Sequence, residues 1–429
     1  MIRARLRAAA ALLLLAAVAG CAGVIRLPPP PDEAVTDLAV LGVPEARFWA
    51  DGDTAPIAAY MERVLRRQTE AVPPGPRGQL PPAHFLALSG GADDGAFGAG
   101  VLAGWTASGT RPAFDLVTGI SAGALIAPFA FLGPAYDDRL RSLFTETQPD
   151  DVLRFGRIAF ALLFGEALAD TSPLARLIYR HADQPMLDAI AAEHARGRLL
   201  MIGTVNLDVG RPVVWNIGAI AASGHPDALD LFRRILLASA AIPGAFPPVL
   251  LDVEQDGRRF QEMHVDGGAA MQVFLYPPRL GARTVLRRAG LARESTAWVI
   301  RNGRVDVTAA PPAQGLFGIA RRSARTLLHF AGIGDVDRIY LTTQRDGVTF
   351  RMQSIGRDFD APRPEFFDNG YMRALFAHGE ARGRDPSSWT PTPPPVGMVA
   401  APPGGTSAAP PGGTTAAPAP AGDQGTNRP

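Results

Sequence analysis

The pattern Gly119-Ile-Ser-Ala-Gly123 sets a serine between small residues in the spacing G-x-S-x-G. That spacing suits a nucleophile elbow, a sharp strand-to-helix turn that holds the Ser121 hydroxyl above the end of a sheet. The matching chemistry is acyl transfer. The serine attacks a carbonyl, and preorganised N–H groups hold the oxyanion that develops. A glycine-rich stretch upstream, Ser89-Gly-Gly-Ala-Asp-Asp-Gly95, can present such donors from Gly90, Gly91, Ala92 and Gly95. Downstream, Asp266-Gly-Gly268 places a carboxylate beside Gly267 and Gly268. A carboxylate within hydrogen-bond reach of a serine, and partly desolvated, can take its proton. The same three residues also suit a turn closed by the aspartate side chain. The serine motif favours the base.

These groups meet only if the chain between them folds in a particular way. Phe85–Leu88 reads as a strand running into the glycine loop, and Ala96–Ala107, rich in small residues, as the helix that follows. Phe114–Thr118 reads as a second strand and Ala122–Leu132 as the helix behind the serine. Small residues at Gly119, Ala122 and Gly123 let the backbone turn tightly. One right-handed crossover of about thirty residues then sets the glycine loop beside Ser121 at one end of a parallel sheet. Met263–Val265 reads as a strand ending at Asp266. Residues 235–252 and 339–354 are expected to supply further strands and connections, with Pro243, Pro247 and Pro248 breaking any helix. Thr342-Thr343 followed by Arg345-Asp-Gly347 predicts a strand entering a hairpin turn. The apolar run 152–168 is expected to be a packing helix, with a lid that touches acyl chains as the alternative.

Taken together, these motifs resemble the patatin-like phospholipase family. Other stretches resemble it too: Thr204–Asp208 with Gly210–Trp215 as a strand pair, Ala238–Pro243 with Phe246–Val249 as the approach to the aspartate, and Phe367–Gly379 as the closing helix. The resemblance covers roughly residues 83–385. It implies an α/β three-layer fold, with a central, mostly parallel sheet and helices on both faces. It implies a Ser–Asp dyad without a catalytic histidine: Ser121 as nucleophile, Asp266 as proton acceptor, and Gly90 to Gly95 as oxyanion loop. It implies a lipid or phospholipid ester as substrate and no cofactor. The chain departs from the family pattern at Ala92, where a third glycine is usual, and at Asp94, where Arg or Lys is usual. Ala92 keeps an N–H donor but is strained if its φ is positive. Asp94 is expected to point away from the oxyanion or to cap the next helix.

Composition narrows the alternatives. The 429 residues suffice for one large domain or two ordinary ones, and a formal net charge of +1 offers no nucleic-acid surface. The chain has no lysine, which removes Ser–Lys dyads, Schiff bases and P-loops. Seven histidines without H-E-x-x-H spacing, and no cysteine cluster, give no metal site. The only cysteine is Cys21; it follows Arg3, Arg5 and Arg7, an apolar run Ala8–Val18, and Val18-Ala-Gly, in the pattern of a bacterial lipobox. Residues 1–20 are therefore expected to be a signal peptide, and Cys21 the acylated start of a chain held to a membrane by lipid. Ala22 after the cysteine points to the outer membrane of a bacterial envelope. Residues 21–82 read as a tether with a short amphipathic helix near Ile57–Gln68, 83–385 as the catalytic domain, and 386–429 as a disordered Pro/Ala/Gly-rich tail. Two rival functions stand beside the Ser–Asp hydrolase. One is a Ser–Asp–His esterase using His329 or His378. The other is a catalytically weak envelope scaffold, for which Ala92 and Asp94 speak.

Overall fold

The computed structural model describes residues 26–31, 38–152, 154–155, 169–170, 172–309 and 315–400. The leader with Cys21, nearly all of the apolar run 152–168, and the tail from 401 lie outside the described residues.

Nine strands form one mixed sheet: β1 (Arg47–Trp49), β2 (Ala83–Leu88), β3 (Leu116–Gly119), β4 (Leu199–Asn206), β5 (Arg211–Asn216), β6 (Val249–Gln255), β7 (Arg258–Asp266), β8 (Ser295–Arg304) and β9 (Thr349–Ile355). Their order is β1-β5-β4-β3-β2-β8-β9, with β7 also paired to β4 and β6 paired to β7. The five strands from β4 to β9 in this order run parallel; β1, β5, β6 and β7 join antiparallel. The central strands β3 and β4 are buried along their whole length, which explains their near-continuous apolar sequence.

Helices cover both faces. Alternate residues of the strands divide accordingly: Leu86, Leu88, Leu200, Ile202 and Ile300 enter one core, and Ala87, Leu199, Met201, Val299 and Met352 the other. The second core is closed by α1 (Ala55–Ala71), through Tyr60 and Val64, and by the carboxyl-terminal half of a helix near residue 336. The first is closed by α2 (Gly95–Ala107), α3 (Ala122–Leu132), α4 (Gln184–Ala195), α5 (Ala228–Ser239) and the last long helix. Two further long helices are α6 (Leu316–Asp346) and α7 (Asn369–Arg384). The architecture is α/β, as the family resemblance implied.

Helix α2 crosses α7 at unusually short range, and glycines permit it. A Cβ at Gly100 would overlap the Phe376 carbonyl, and one at Gly104 the Glu380 carbonyl. From the other side, Gly379 abuts the Phe97 carbonyl and Gly383 the Val101 carbonyl. The two backbones therefore touch, and α2, which follows the glycine loop, is fixed against α7. Beyond α7 the chain stays packed past residue 385, where the sequence placed the start of the tail. Trp389 is buried and stacks with Trp105 and Trp298 at centroid distances of 4.6–4.8 Å. Thr390 bridges to Met352 of β9.

One expectation is corrected. Residues 316–346 form α6, not a strand entering a hairpin at 345–347. Thr342 and Thr343 turn their hydroxyls back to the carbonyls of Arg338 and Tyr340, so these residues fit a helix despite their β-branching. Asp-Gly is here a helix stop: Gly347 is the left-handed C-cap, at φ 70°. Likewise 228–239 is the helix α5, and the strand β6 begins only after the prolines, at Val249.

The segment before residue 83 belongs structurally to the sheet. Strand β1 extends it beside β5, and Arg47 pairs with Glu262, which is fully buried on β7. Burial pushes the Glu262 carboxyl up, but its bonds to His264 and Arg47 outweigh this and hold it below the usual range. Because α2 and α7 meet backbone to backbone, Gly104→Val is expected to destabilise the protein by about 3 kcal/mol. Gly334→Ala, on α6 with nothing near its Cβ, is expected to be neutral or stabilising by up to ~1 kcal/mol. Urea unfolding of both variants checks this contrast.

Candidate active site

One flank of β4 positions both candidate groups. Strand β3 pairs with its first half and ends at Gly119, opposite Ile202. Strand β7 arrives from the other direction along the same flank, pairing His264 with Asn206 and Asp266 with Thr204. The two chains thus point at one another across Gly203. Ser121 lies two residues beyond the end of β3, and Asp266 is the last residue of β7. They meet: the Ser121 hydroxyl lies beside the Asp266 carboxyl and favours its charged form.

Ser121 occupies φ 56°, ψ −123°, a costly region for a residue with a Cβ. The surroundings fix it there. Its N–H donates to Ser239 Oγ at 3.0 Å, and Ser239 in turn donates to the Gly203 carbonyl at 2.7 Å. A Cβ on Gly119 would come within 2.7 Å of the Gly123 carbonyl carbon, and one on Gly123 within 2.6 Å of the Ser89 carbonyl oxygen. The glycines of the G-x-S-x-G pattern are therefore steric requirements of the elbow. Ser239 lies in the Ala238–Pro243 stretch that carries the family resemblance, but its part in holding the elbow emerges only when α5 is placed against the turn.

Asp266 is buried. Its N–H donates to the Ala241 carbonyl at 2.9 Å, and its carboxylate accepts from the Gly268 N–H at 2.7 Å. The turn reading of Asp-Gly-Gly is thus realised, and the same carboxyl still faces Ser121. Burial pushes its pKa up to about 6; the bonds from Ser121 and Gly268 pull only partly against that. Among the described residues, no histidine bonds to either group. His378 packs between Phe97 and Phe359, and its nearest carboxylate is Asp358 at 3.9 Å. His329 sits on α6, where its carbonyl accepts from Arg301. His264, two residues from Asp266, bonds to Thr204 and Glu262.

The glycine loop requires a correction. Four N–H donors were expected from it, but those of Gly90 and Gly95 are taken up internally. Gly90 donates to the Gln272 carbonyl at 3.0 Å, and Gly95 to the carbonyls of Ala92 and Asp93 as α2 begins. Gly90 serves close approach instead: a Cβ there would lie 3.2 Å from that of Ser121. Among the described residues, the N–H groups of Gly91 and Ala92 have no acceptor, so these two form the open part of the loop. Ala92 has φ 53°, so the strain expected at this position is present. Asp94 does not cap α2; it accepts from the Tyr371 hydroxyl at 2.6 Å. Asp93 is wholly buried, paired with Arg363 and with the Phe367 N–H at 3.1 Å, and burial raises it to about 6 despite Arg363.

Two more residues tie the site together without any sequence signal. Gln272 links the Gly90 N–H to the Asp266 turn, since its Nε2 donates to the Gly268 carbonyl at 2.8 Å. Asn302, at the end of β8, holds the Ser89 carbonyl at 2.7 Å and accepts from the Gly98 N–H at 3.1 Å. Ser121 and Ala92 open on a cavity of about 40 Å³ walled by Leu125, Leu143, Phe144, Phe246 and Phe367. A larger apolar cavity, about 320 Å³, lies between α1, α6 and residues 270–280, away from Ser121.

Comparison with known proteins adds to this geometry. Residues 86–277 match the family model described as patatin-like phospholipase. The match begins in β2 and ends just after the Asp266 turn, so it holds both candidate groups, while β8 and β9 lie beyond it. Among solved structures, VipD from Legionella pneumophila is similar with a TM-score of 0.30 and 12% identity, over 74% of this chain and 68% of that one. No curated protein matches the sequence.

The buried carboxyl has a consequence for stability. The unfolded chain releases this proton near pH ~4, and the folded protein releases it only near pH 6. The folded state binds the proton more tightly, so its stability is greatest below the unfolded value and declines as pH rises through about 6. Asp266→Asn keeps an acceptor for Gly268 and removes the buried charge. It is expected to be more stable than the parent by about 2 kcal/mol at pH 8, with no gain near pH 4. Urea midpoints at the two pH values measure this.

Proposed function

We propose, from the patatin-like phospholipase domain that residues 86–277 form, that this chain hydrolyses carboxylic ester bonds of lipids through Ser121 and Asp266. The family is one of lipid acyl hydrolases. The observation that carries the finer reading is the meeting of Ser121 with a buried carboxyl whose pKa lies near 6, with no histidine in contact with either.

In this mechanism Asp266 takes the proton as Ser121 Oγ attacks the ester carbonyl. The N–H groups of Gly91 and Ala92 hold the oxyanion. When the tetrahedral intermediate collapses, Asp266 returns the proton to the leaving alcohol, and an acyl chain stays esterified to Ser121. A water molecule, deprotonated by the same carboxylate, then releases the fatty acid. A carboxyl with ordinary pKa is a weak base for a hydroxyl, and raising it towards neutrality improves the match. The apolar walls of the small cavity beside Ser121 suit the first carbons of an acyl chain. Cys21, acylated, would hold the protein in the bacterial envelope, at the outer membrane, beside its substrate.

A second reading keeps the fold as an envelope scaffold. It is favoured by the internal bond of the Gly90 N–H and by the strained Ala92, which leave a small oxyanion site. Fatty-acid release from phospholipid and hydrolysis of a nitrophenyl ester separate the two. Ser121→Ala is expected to lower turnover at least about a thousandfold, and Asp266→Asn by a comparable factor, while His378→Ala keeps parental activity. The parental rate is expected to fall as pH drops through about 6. A folded parent that neither turns over nor labels with a serine-directed fluorophosphonate supports the scaffold.

A further inference from the structure

The cavity of about 320 Å³ lies on the other face of the sheet from Ser121. Its strand residues Leu116, Leu199 and Met201 belong to the second core, whereas Leu143, Phe144 and Phe246 beside Ser121 belong to the first. Helix α1 contributes Ile57 and Met61 to its wall, and α6 contributes Ile339. Residues from 270–280 and the short helix Ala282–Arg288 complete it. Protein interiors hold few voids larger than a water molecule. Here Phe85 and Val214 stay only half-buried, although β2 and β5 each have a neighbouring strand on both sides. The layer over this face therefore stops short of them and leaves a chamber.

The wall is apolar but for a few groups, and most of these are taken. Asp115 pairs with Arg293 at 2.8 Å, and Asp51 with Arg211 at 2.9 Å. Gln68 donates to the Gly197 carbonyl and accepts from Arg293, and the Tyr276 hydroxyl bonds to Asp346. A peptide entering this space would bring N–H and C=O groups that find few partners, at a cost in free energy. A hydrocarbon chain needs none. Arg338 is the exception among the polar groups. Its side chain is 60% exposed and gives one N–H to Asp335 at 2.9 Å, while the other Asp335 oxygen accepts from the Gln272 N–H. Among the described residues, the remaining N–H groups of Arg338 have no acceptor. An apolar chamber with one such cation in its wall suits a chain that ends in an anion.

We propose that this cavity binds a free fatty acid, with the alkyl chain inside and the carboxylate at Arg338. An engineered apolar cavity of ~150 Å³ holds one benzene, so a cavity of about 320 Å³ has room for roughly twelve carbons. Filling it replaces lost contacts along the wall, and the ligand stabilises the folded chain by mass action. Ester hydrolysis at Ser121 would supply such an acid; that source rests on the hydrolase reading, and the binding does not.

The test uses the full chain with Cys21→Ser in every sample, so that no acyl group of its own competes and any effect of the leader is common to all. Calorimetric titration with decanoate and with decanol measures affinity, and thermal melting checks the fold. Neither ligand carries an ester bond, so a chain that hydrolyses nothing is tested equally well. The parent is expected to bind both. Val214→Phe, which fills the chamber, is expected to weaken both at least about tenfold while melting near the parental temperature. Arg338→Gln, at the surface, is expected to weaken decanoate about tenfold and leave decanol unchanged, which keeps the test decisive if Val214→Phe fails to fold. Leu125→Phe, in the small cavity beside Ser121, is expected to leave both affinities as they are. A parent that binds neither ligand overturns the proposal, as does binding that responds to Leu125→Phe and ignores Val214→Phe. Equal effects of Arg338→Gln on decanoate and decanol overturn the assignment of an anionic end.

Discussion

The site depends on a single sharing of edge space: one flank of β4 is occupied by β3 over its first half and by β7 over its second. Two strands of opposite direction cannot overlap there, so their ends must face each other. The serine turn leaves from one end, and Asp266 closes the other. Gly203 stands at the junction. Its carbonyl accepts from Ser239, and it borders both Ile120 and Gly267. Proximity of nucleophile and carboxyl is thus a property of sheet register, and a slip of one residue in β7 would turn Asp266 to the other face.

That arrangement is energetically unfavourable in two places. Ser121 holds a backbone conformation that side chains avoid, and Asp266 carries its carboxyl out of water. The first is offset by bonds to the elbow backbone and by glycines that admit close contact. The second has no full compensation, since the bonds from Ser121 and Gly268 leave the pKa near 6. Strain and burial that persist at a site normally mark function, because they oppose stability. The buried Asp93 differs. Its partners, Arg363 and the Phe367 backbone, belong to the segment that walls the cavity, so this carboxyl fastens the glycine loop to that wall.

The glycine loop shows where motif and geometry part. All four expected donors lie in the loop, yet only Gly91 and Ala92 keep open N–H groups. Gly90 and Gly95 are glycine for reasons of space and helix initiation. A spacing pattern marks the loop, but it cannot assign each hydrogen bond, because the acceptor for Gly90 comes from Gln272, far away in the chain.

The sequence by itself determined the local elements around the chemistry: the two strand–loop–helix units at residues 85–107 and 114–132, the strand ending at Asp266, and the closing helix after Phe367. Each follows from short-range patterns, namely apolar runs, glycines at tight turns and helix periodicity. It misread residues 339–347 because Thr-Thr and Asp-Gly favour strand and hairpin locally, whereas burial of Val336 and Ile339 against the sheet favours a helix. Tertiary structure alone decided the meeting of Ser121 with Asp266, the struts Ser239, Gln272 and Asn302, and the raised pKa. Those depend on strand order and on what excludes water, and neither is a property of neighbouring residues along the chain.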